Sequence, residues 1–204
     1  MPNVKDILLL KAQDISRPLI SIEDNRTLLD VRNIMIRYNI SRLAISSGTT
    51  IIGIITEKDV AKFLYAYALD RKRLGEISVK EIIQNHYELI TVDPQSNISF
   101  CAKSMLNNNI SSLLLINNEN KISEIITKTD LTEVFAYHYF GYFSVKECMT
   151  KKVITAEADE NIHVLSILMN TYNISRIIIV KDDRPLGIVA LKDFLPLSTF
   201  YNRE

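Results

Sequence analysis

The sequence predicts an α+β fold built from three successive copies of one strand–helix–strand–strand–helix unit, and three observations carry that expectation. The tripeptide Asn-Ile-Ser stands at residues 39–41, 109–111 and 173–175. Eighteen positions before each Asn, an apolar residue is followed by a short hydroxyl residue: Ile20-Ser21, Ile90-Thr91 and Ile154-Thr155. Twenty or twenty-one positions after each Asn lies an aspartate, Asp59, Asp130 or Asp193. Two spacings held this constant mark an internal repeat, and a repeat decides the fold before any single element does.

The elements follow in order within each copy. Leu28, Val31 and Met35 correspond to Ile98, Cys101 and Met105, and to Ile162, Leu165 and Met169. Offsets of three and seven set these side chains on one helix face, where a methionine stripe reads as core packing. Thr27, Asn97 and Asn161 precede these helices as N-caps, whose side-chain oxygens accept orphan backbone N–H groups. Two apolar, β-branched runs come next: 42–45 and 51–56, then 112–116 and 122–127, then 176–180 and 186–191. A polar turn such as Ser46 to Thr49 or Asn117 to Asn120 splits each pair, as in a hairpin. A second helix opens at each aspartate. One such unit is too small to stand alone, so its sheet face is expected to pack on another copy.

Composition narrows the function classes. Of 204 residues, 47% are hydrophobic, which suits a packed core, and 24 basic residues balance 24 acidic ones. A neutral chain is not expected to coat nucleic acid or an anionic membrane. The short run Arg71-Lys72-Arg73, flanked by Asp70 and Glu76, reads as a solvated loop or helix end. Cys101 and Cys148 are isolated and read as buried thiols in a reducing interior. The apolar stretch Ile7 to Leu10 is too short for a signal-peptide core or a membrane span, so a soluble, cytoplasmic protein is expected.

The chain resembles the CBS domain, the repeat named after cystathionine β-synthase and present in the γ subunit of AMP-activated protein kinase. The resemblance rests on Asp14-Ile15-Ser16-Arg17-Pro18-Leu19-Ile20-Ser21, the Asn-Ile-Ser turns, and Gly53-Ile54-Ile55-Thr56-Glu57-Lys58-Asp59. Glu147-Cys148-Met149-Thr150 and Gly187-Ile188-Val189 repeat the pattern. It implies an arm at residues 1–11 and three repeats at 12–76, 77–142 and 143–204. The first two repeats would pair in cis as a Bateman module with ligand clefts between them. The third, lacking a partner within the chain, would pair with its counterpart in a second chain, giving a homodimer by an isologous contact. The aromatic link Phe135 to Phe140 is placed in that same interface.

The chemistry is that of binding. There is no GxGxxG and no P-loop, and five glycines are too few and too scattered for a backbone phosphate cradle. His86, His138 and His163 keep no metal-ligand rhythm, and no nucleophile elbow is present, so neither an enzyme nor a metal site is expected. Thr56-x-x-Asp59 and Thr127-x-x-Asp130 have two compatible readings. One is a helix capping box. The other is a carboxylate that accepts hydrogen bonds from both ribose hydroxyls. The resemblance implies the second, since this aspartate characteristically holds ribose in CBS modules. The third copy keeps Asp193 but has Ala190 where the hydroxyl would be, and Pro185 and Pro196 suggest an altered terminal segment.

The resemblance further implies phosphate binding by Arg42 and Arg176, which follow the Asn-Ile-Ser turn, with Lys58 and Lys128 as secondary candidates. It sets the adenine near Ile20-Ser21, Ile90-Thr91 or Ile154-Thr155. The implied function is a non-catalytic regulatory module with no required cofactor. Its effector would be an adenosine-containing small molecule, AMP, ADP, ATP or S-adenosylmethionine, and it would signal to a regulated protein. The alternative is a dimerisation scaffold without a ligand.

Overall fold

The computed structural model describes residues 9–69, 73–83, 89–138 and 143–197. The first eight residues of the arm, Asp70, Arg71 and Lys72, His86, and Tyr139 and Phe140 of the aromatic link lie outside the described residues.

Each copy contributes the expected elements plus a short leading helix that the sequence reading missed. The first copy runs α1 (Ala12–Ile15), β1 (Arg17–Pro18), β2 (Ser21–Glu23), α2 (Leu28–Tyr38), β3 (Arg42–Ser47), β4 (Thr50–Thr56) and α3 (Glu57–Leu69). The second runs α4 (Val79–Ile83), β5 (Thr91–Val92), α5 (Ile98–Asn107), β6 (Ser112–Ile116), β7 (Ile122–Thr127) and α6 (Lys128–His138). The third runs α7 (Val145–Cys148), β8 (Thr155–Glu157), α8 (Ile162–Thr171), β9 (Arg176–Lys181), β10 (Arg184–Ala190) and α9 (Phe194–Leu197). A 3-10 turn, Leu191–Asp193, precedes α9.

In each copy the middle strand pairs antiparallel with its hairpin mate and borders the short first strand, giving orders β2-β3-β4, β5-β6-β7 and β8-β9-β10. The Ser47-to-Thr50 turn uses Gly48 at φ 59°, a left-handed backbone that glycine adopts without steric cost. Pro185 sits where the β9–β10 register shifts, a bulge that tolerates a residue without an N–H.

The predicted helix faces form the cores. Met35, Met105 and Met169 are each 1% exposed, and burying such a side chain contributes about 1.5–3 kcal/mol. Thr27 and Asn161 cap their helices, bonding to the amides of Asp30 and His163. Asn97 makes no such bond, because its Oδ1 accepts from Lys11 Nζ at 2.8 Å instead.

The chain divides into two compact units. One holds residues 1–21, 49–52 and 87–149; the other holds 22–48, 53–86 and 150–204. The leading segments are therefore exchanged between the first two copies. In the first unit, the leading segment of copy one packs on the body of copy two. Ile98 N–H donates to Leu10 O at 3.1 Å, Ala12 N–H to Ser96 O at 2.8 Å, and Gln13 N–H to Pro94 O at 3.0 Å. β1 extends the sheet beyond β7, pairing Arg17 with Ile125. In the second unit, the leading segment of copy two makes the same bonds to copy one. Leu28 N–H donates to Ile77 O at 3.0 Å, Val79 N–H to Arg26 O at 2.8 Å, and Lys80 N–H to Asp24 O at 3.1 Å.

The second unit corrects the expectation that the third copy has no partner within the chain. Its body packs on copy one: Ala61 of α3 joins a core cluster with Ala156, Leu165, Met169, Ile177, Leu191 and Phe194. Arg32 of α2, 7% exposed, donates through Nε to Leu195 O at 2.6 Å. Helices α3 and α8 meet in this contact. The pairing of Cys101 and Cys148 as buried thiols is corrected too. Cys101 is buried, but Cys148 is exposed, because it lies on α7, which no described residue covers.

Candidate functional site

The Asn-Ile-Ser motif positions the candidate aspartates through the backbone. Asn39, Asn109 and Asn173 end their helices at φ 50°, 52° and 53°. Asn tolerates this left-handed conformation and so turns the chain into the next strand. The serine two residues on then anchors the following helix. Glu57 N–H donates to Ser41 O at 2.9 Å, Lys128 N–H to Ser111 O at 3.0 Å, and Leu191 N–H to Ser175 O at 3.0 Å. Each aspartate stands two residues beyond that anchor, which explains the constant spacing.

Asp59 and Asp130 are fixed alike. Oδ2 of Asp59 accepts from Thr56 N–H at 2.8 Å and from its hydroxyl at 2.7 Å, while Asp59 N–H donates to Thr56 Oγ1 at 3.3 Å. The distances for Thr127 and Asp130 are 2.8, 2.6 and 3.3 Å. This is the reciprocal capping box. It occupies Oδ2 in both, and Oδ1 of Asp59 has no hydrogen-bond partner among the described residues. At Asp193 only the Ala190 N–H remains, at 2.8 Å, as the missing hydroxyl requires.

In the first unit Oδ1 of Asp130 is taken. Arg17 donates to it through Nε at 2.5 Å and reaches Glu133 Oε2 through Nη2 at 2.9 Å. The bond to Asp130, and then the charges of Asp130 and Glu133, hold the Arg17 guanidinium above its ordinary pKa. Ile15, Arg17, Asp130, Glu133, Val134 and Tyr137 line a cavity of about 280 Å³ at this point. Ile90 and Thr91 are half-buried beside β6, where Thr91 pairs with Leu114, and they do not line that cavity. Lys128 is exposed.

In the second unit the two predicted arginines converge. Burial pushes the Glu57 carboxyl above its ordinary pKa, and the charges of Arg42, Arg176 and Lys192 pull it back. Asp193 adds a like charge to the same group. Lys58 donates through Nζ to Oδ1 of Asn173, which ties the first copy to the Asn-Ile-Ser turn of the third. Ile154 is half-buried and Thr155 exposed at the start of β8, while in the first unit Ile20 is half-buried and Ser21 exposed.

Sequence reasoning missed Arg17, Glu133 and Glu57. Arg17 stands in the quoted opening segment, but its partner lies 113 residues away. Glu57 has no periodic signal, since Lys128 and Leu191 occupy its place in the other copies. Among the described residues no group of His, Cys, Asp or Glu is arranged to hold a metal ion. No described helix is long and apolar enough to cross a membrane.

The CBS domain family model matches residues 4–66, 78–137 and 145–198. L-aspartate semialdehyde sulfurtransferase of Methanocaldococcus jannaschii is 35% identical over 105 residues, 50% of this chain and 20% of that protein. Protein MJ1225 of the same organism is 24% identical over 162 residues, 74% of this chain and 57% of its own length. The chain thus spans less than two thirds of these relatives. The crystal structure of MJ1225, proposed as an archaeal homologue of γ-AMPK, aligns with TM-score 0.80 at 19% identity, covering 92% of this chain and 72% of that one. That likeness is one of fold. The CBS domain pair of protein MJ0100, solved with 5′-methylthioadenosine and S-adenosyl-L-methionine, aligns with TM-score 0.52 at 25% identity, covering 62% of this chain and 99% of that one.

Proposed function

The chain belongs to the CBS-domain family, and from that premise we propose that it is a non-catalytic regulatory protein that binds an adenosine-containing nucleotide or S-adenosylmethionine and signals to a partner protein. The observation that carries the reading is Oδ1 of Asp59, which has no hydrogen-bond partner among the described residues. Its carboxylate is held rigid through Oδ2 by Thr56, so a ribose diol meets an acceptor already oriented. A carboxylate oxygen has two lone pairs, enough for both hydroxyls. Arg42 and Arg176, gathered around Glu57, supply the fork of donors that suits a phosphate. Lys58 and Lys128 are secondary, and the adenine lies toward Ile20-Ser21, Ile90-Thr91 or Ile154-Thr155. The ligands of the MJ0100 pair support an adenosine class of effector. A ligand shifts the protein only by binding two arrangements unequally, and a partner reads that shift.

One observation favours the scaffold reading at the second copy. Arg17 already satisfies Asp130 from within the chain, so there the aspartate needs no ligand.

Thermal unfolding across AMP, ADP, ATP, S-adenosylmethionine, 5′-methylthioadenosine and a 2′-deoxy analogue tests the reading, with Asp59→Ala, Asp130→Ala and Asp193→Ala alongside. Binding to the folded state alone stabilises by about 2.7 kcal/mol at a hundredfold excess over Kd. The expected result is a shift with a ribonucleotide, weakened by the deoxy sugar and abolished by Asp59→Ala. No shift from any of them leaves the capping boxes as caps and the protein as a scaffold.

A further inference from the structure

We propose that two copies of this chain associate by exchanging the leading segments of their third copies, as the first and second copies exchange theirs within the chain. The leading helices α1, α4 and α7 begin after Lys11, Ser78 and Ser144, each followed three residues later by an acid that bonds back to its amide: Asp14, Glu81 and Glu147. The first residue of each helix is therefore equivalent. Ala12 and Val79 are both 0% exposed, and Val145 is 82% exposed.

The receiving face shows the same break. The residue after each N-cap is Leu28, Ile98 or Ile162, and these are 0%, 1% and 37% exposed. In the first two copies that residue's amide, and the carbonyls two and four positions before it, bind a leading segment. Their counterparts in the third copy are the Ile162 amide and the carbonyls of Glu160 and Ala158. No leading segment among the described residues reaches them. No described strand pairs with the outer edge of β10, where Leu186 and Ile188 are 62% and 57% exposed, whereas β1 covers β7 in the second copy.

Among the described residues the chain thus carries both halves of one contact, unused. A second copy fills both at once under a two-fold axis, and the contact closes at two chains. Another occupant would leave one half bare. Lys151 stands three residues before Ile154 as Arg17 stands three before Ile20, so the exchange brings a cation to Asp193 as Arg17 serves Asp130.

Sedimentation equilibrium of the full chain is expected to give a dimer. Val145→Asp and Ile162→Asp, both at positions exposed in the single chain, are each expected to raise its dissociation constant roughly tenfold or more, as a charge set against a dry apolar contact does. A cross-link then reads the geometry. Lys11 and Asn97, like Thr27 and Ser78, are opposed antiparallel bridge partners, close enough for a disulfide. Ser144→Cys with Asn161→Cys, in a Cys148→Ser background, is expected to give a covalent dimer on oxidation, and neither cysteine alone should do so. A monomer, a cross-link confined to one chain, open higher oligomers, or a dimer indifferent to both aspartates would each overturn the proposal.

Discussion

Arg17 donates through Nε to Oδ1 of Asp130 at 2.5 Å, and the other carboxylate oxygen is held by Thr127. Both oxygens of the second copy's aspartate are therefore bonded within the chain, while Oδ1 of Asp59 has no partner among the described residues. The first two copies are alike in sequence motif and unlike in how the aspartate is bonded.

Removing Arg17 leaves a carboxylate that is 4% exposed without its cation. Arg17→Gln is expected to lower the free energy of unfolding by about 1 kcal/mol, less than a fully buried pair, because the guanidinium side is 60% exposed to screening water. Urea unfolding checks this, with Asp130→Asn closing a double-mutant cycle. A coupling near zero would mean that the pair contributes nothing beyond its separate groups.

The third copy offers the reverse experiment. Ala190 N–H bonds Asp193 Oδ2 at 2.8 Å, as Thr56 N–H bonds Asp59, but the hydroxyl half of the capping box is absent. Ala190→Thr restores it, and caps of this kind contribute about 0.5–2 kcal/mol. The variant should unfold at higher urea concentration than wild type, and Thr56→Ala at lower. Opposite shifts of similar size would show that the three junctions are one device.

These junctions were legible because they are local. Thr-x-x-Asp, the left-handed Asn and the Leu/Ile-to-Met helix stripe each act within a few residues, and Met35, Met105 and Met169 all reached the core. The leading helices were not legible. Four or five residues are too few for a periodicity. Their docking bonds run through backbone groups, such as Ala12 N–H to Ser96 O, which leave no side-chain pattern. The same reason hid Arg17, since nothing near it in sequence names a partner in α6. The packing of copy three on copy one was obscured because the helix stripe that meets it looks like any core stripe.

Glu57 makes stability depend on pH in a direction opposite to most surface acids. Burial raises its pKa in the folded state above the ordinary value near 4.5. The folded protein therefore holds the proton longer than the unfolded chain does, and stability falls as pH rises from about 4.5 through the folded pKa. Glu57→Gln should match wild type below that window and exceed it above, in urea midpoints measured across pH. Glu147 runs the other way. The Ser144 N–H and hydroxyl lower its pKa, so its contribution is present above the ordinary carboxylate value and lost as pH falls through the lowered one.

The two cysteines report on the exchange without any substitution. Cys101 is 0% exposed, and burial raises its thiol pKa, so it should react slowly with a thiol-specific reagent at pH 8. Cys148 is exposed on α7 and should react quickly in dilute protein. Its equivalent four residues after the cap in copy two, Ile82, is 1% exposed once its leading helix has docked. Docking of α7 on a second chain buries Cys148 in the same way. Its labelling rate should therefore fall as protein concentration rises through the dissociation constant, while that of Cys101 stays constant. A Cys148 rate independent of concentration in a proven dimer would place the dimer contact elsewhere and leave α7 uncovered.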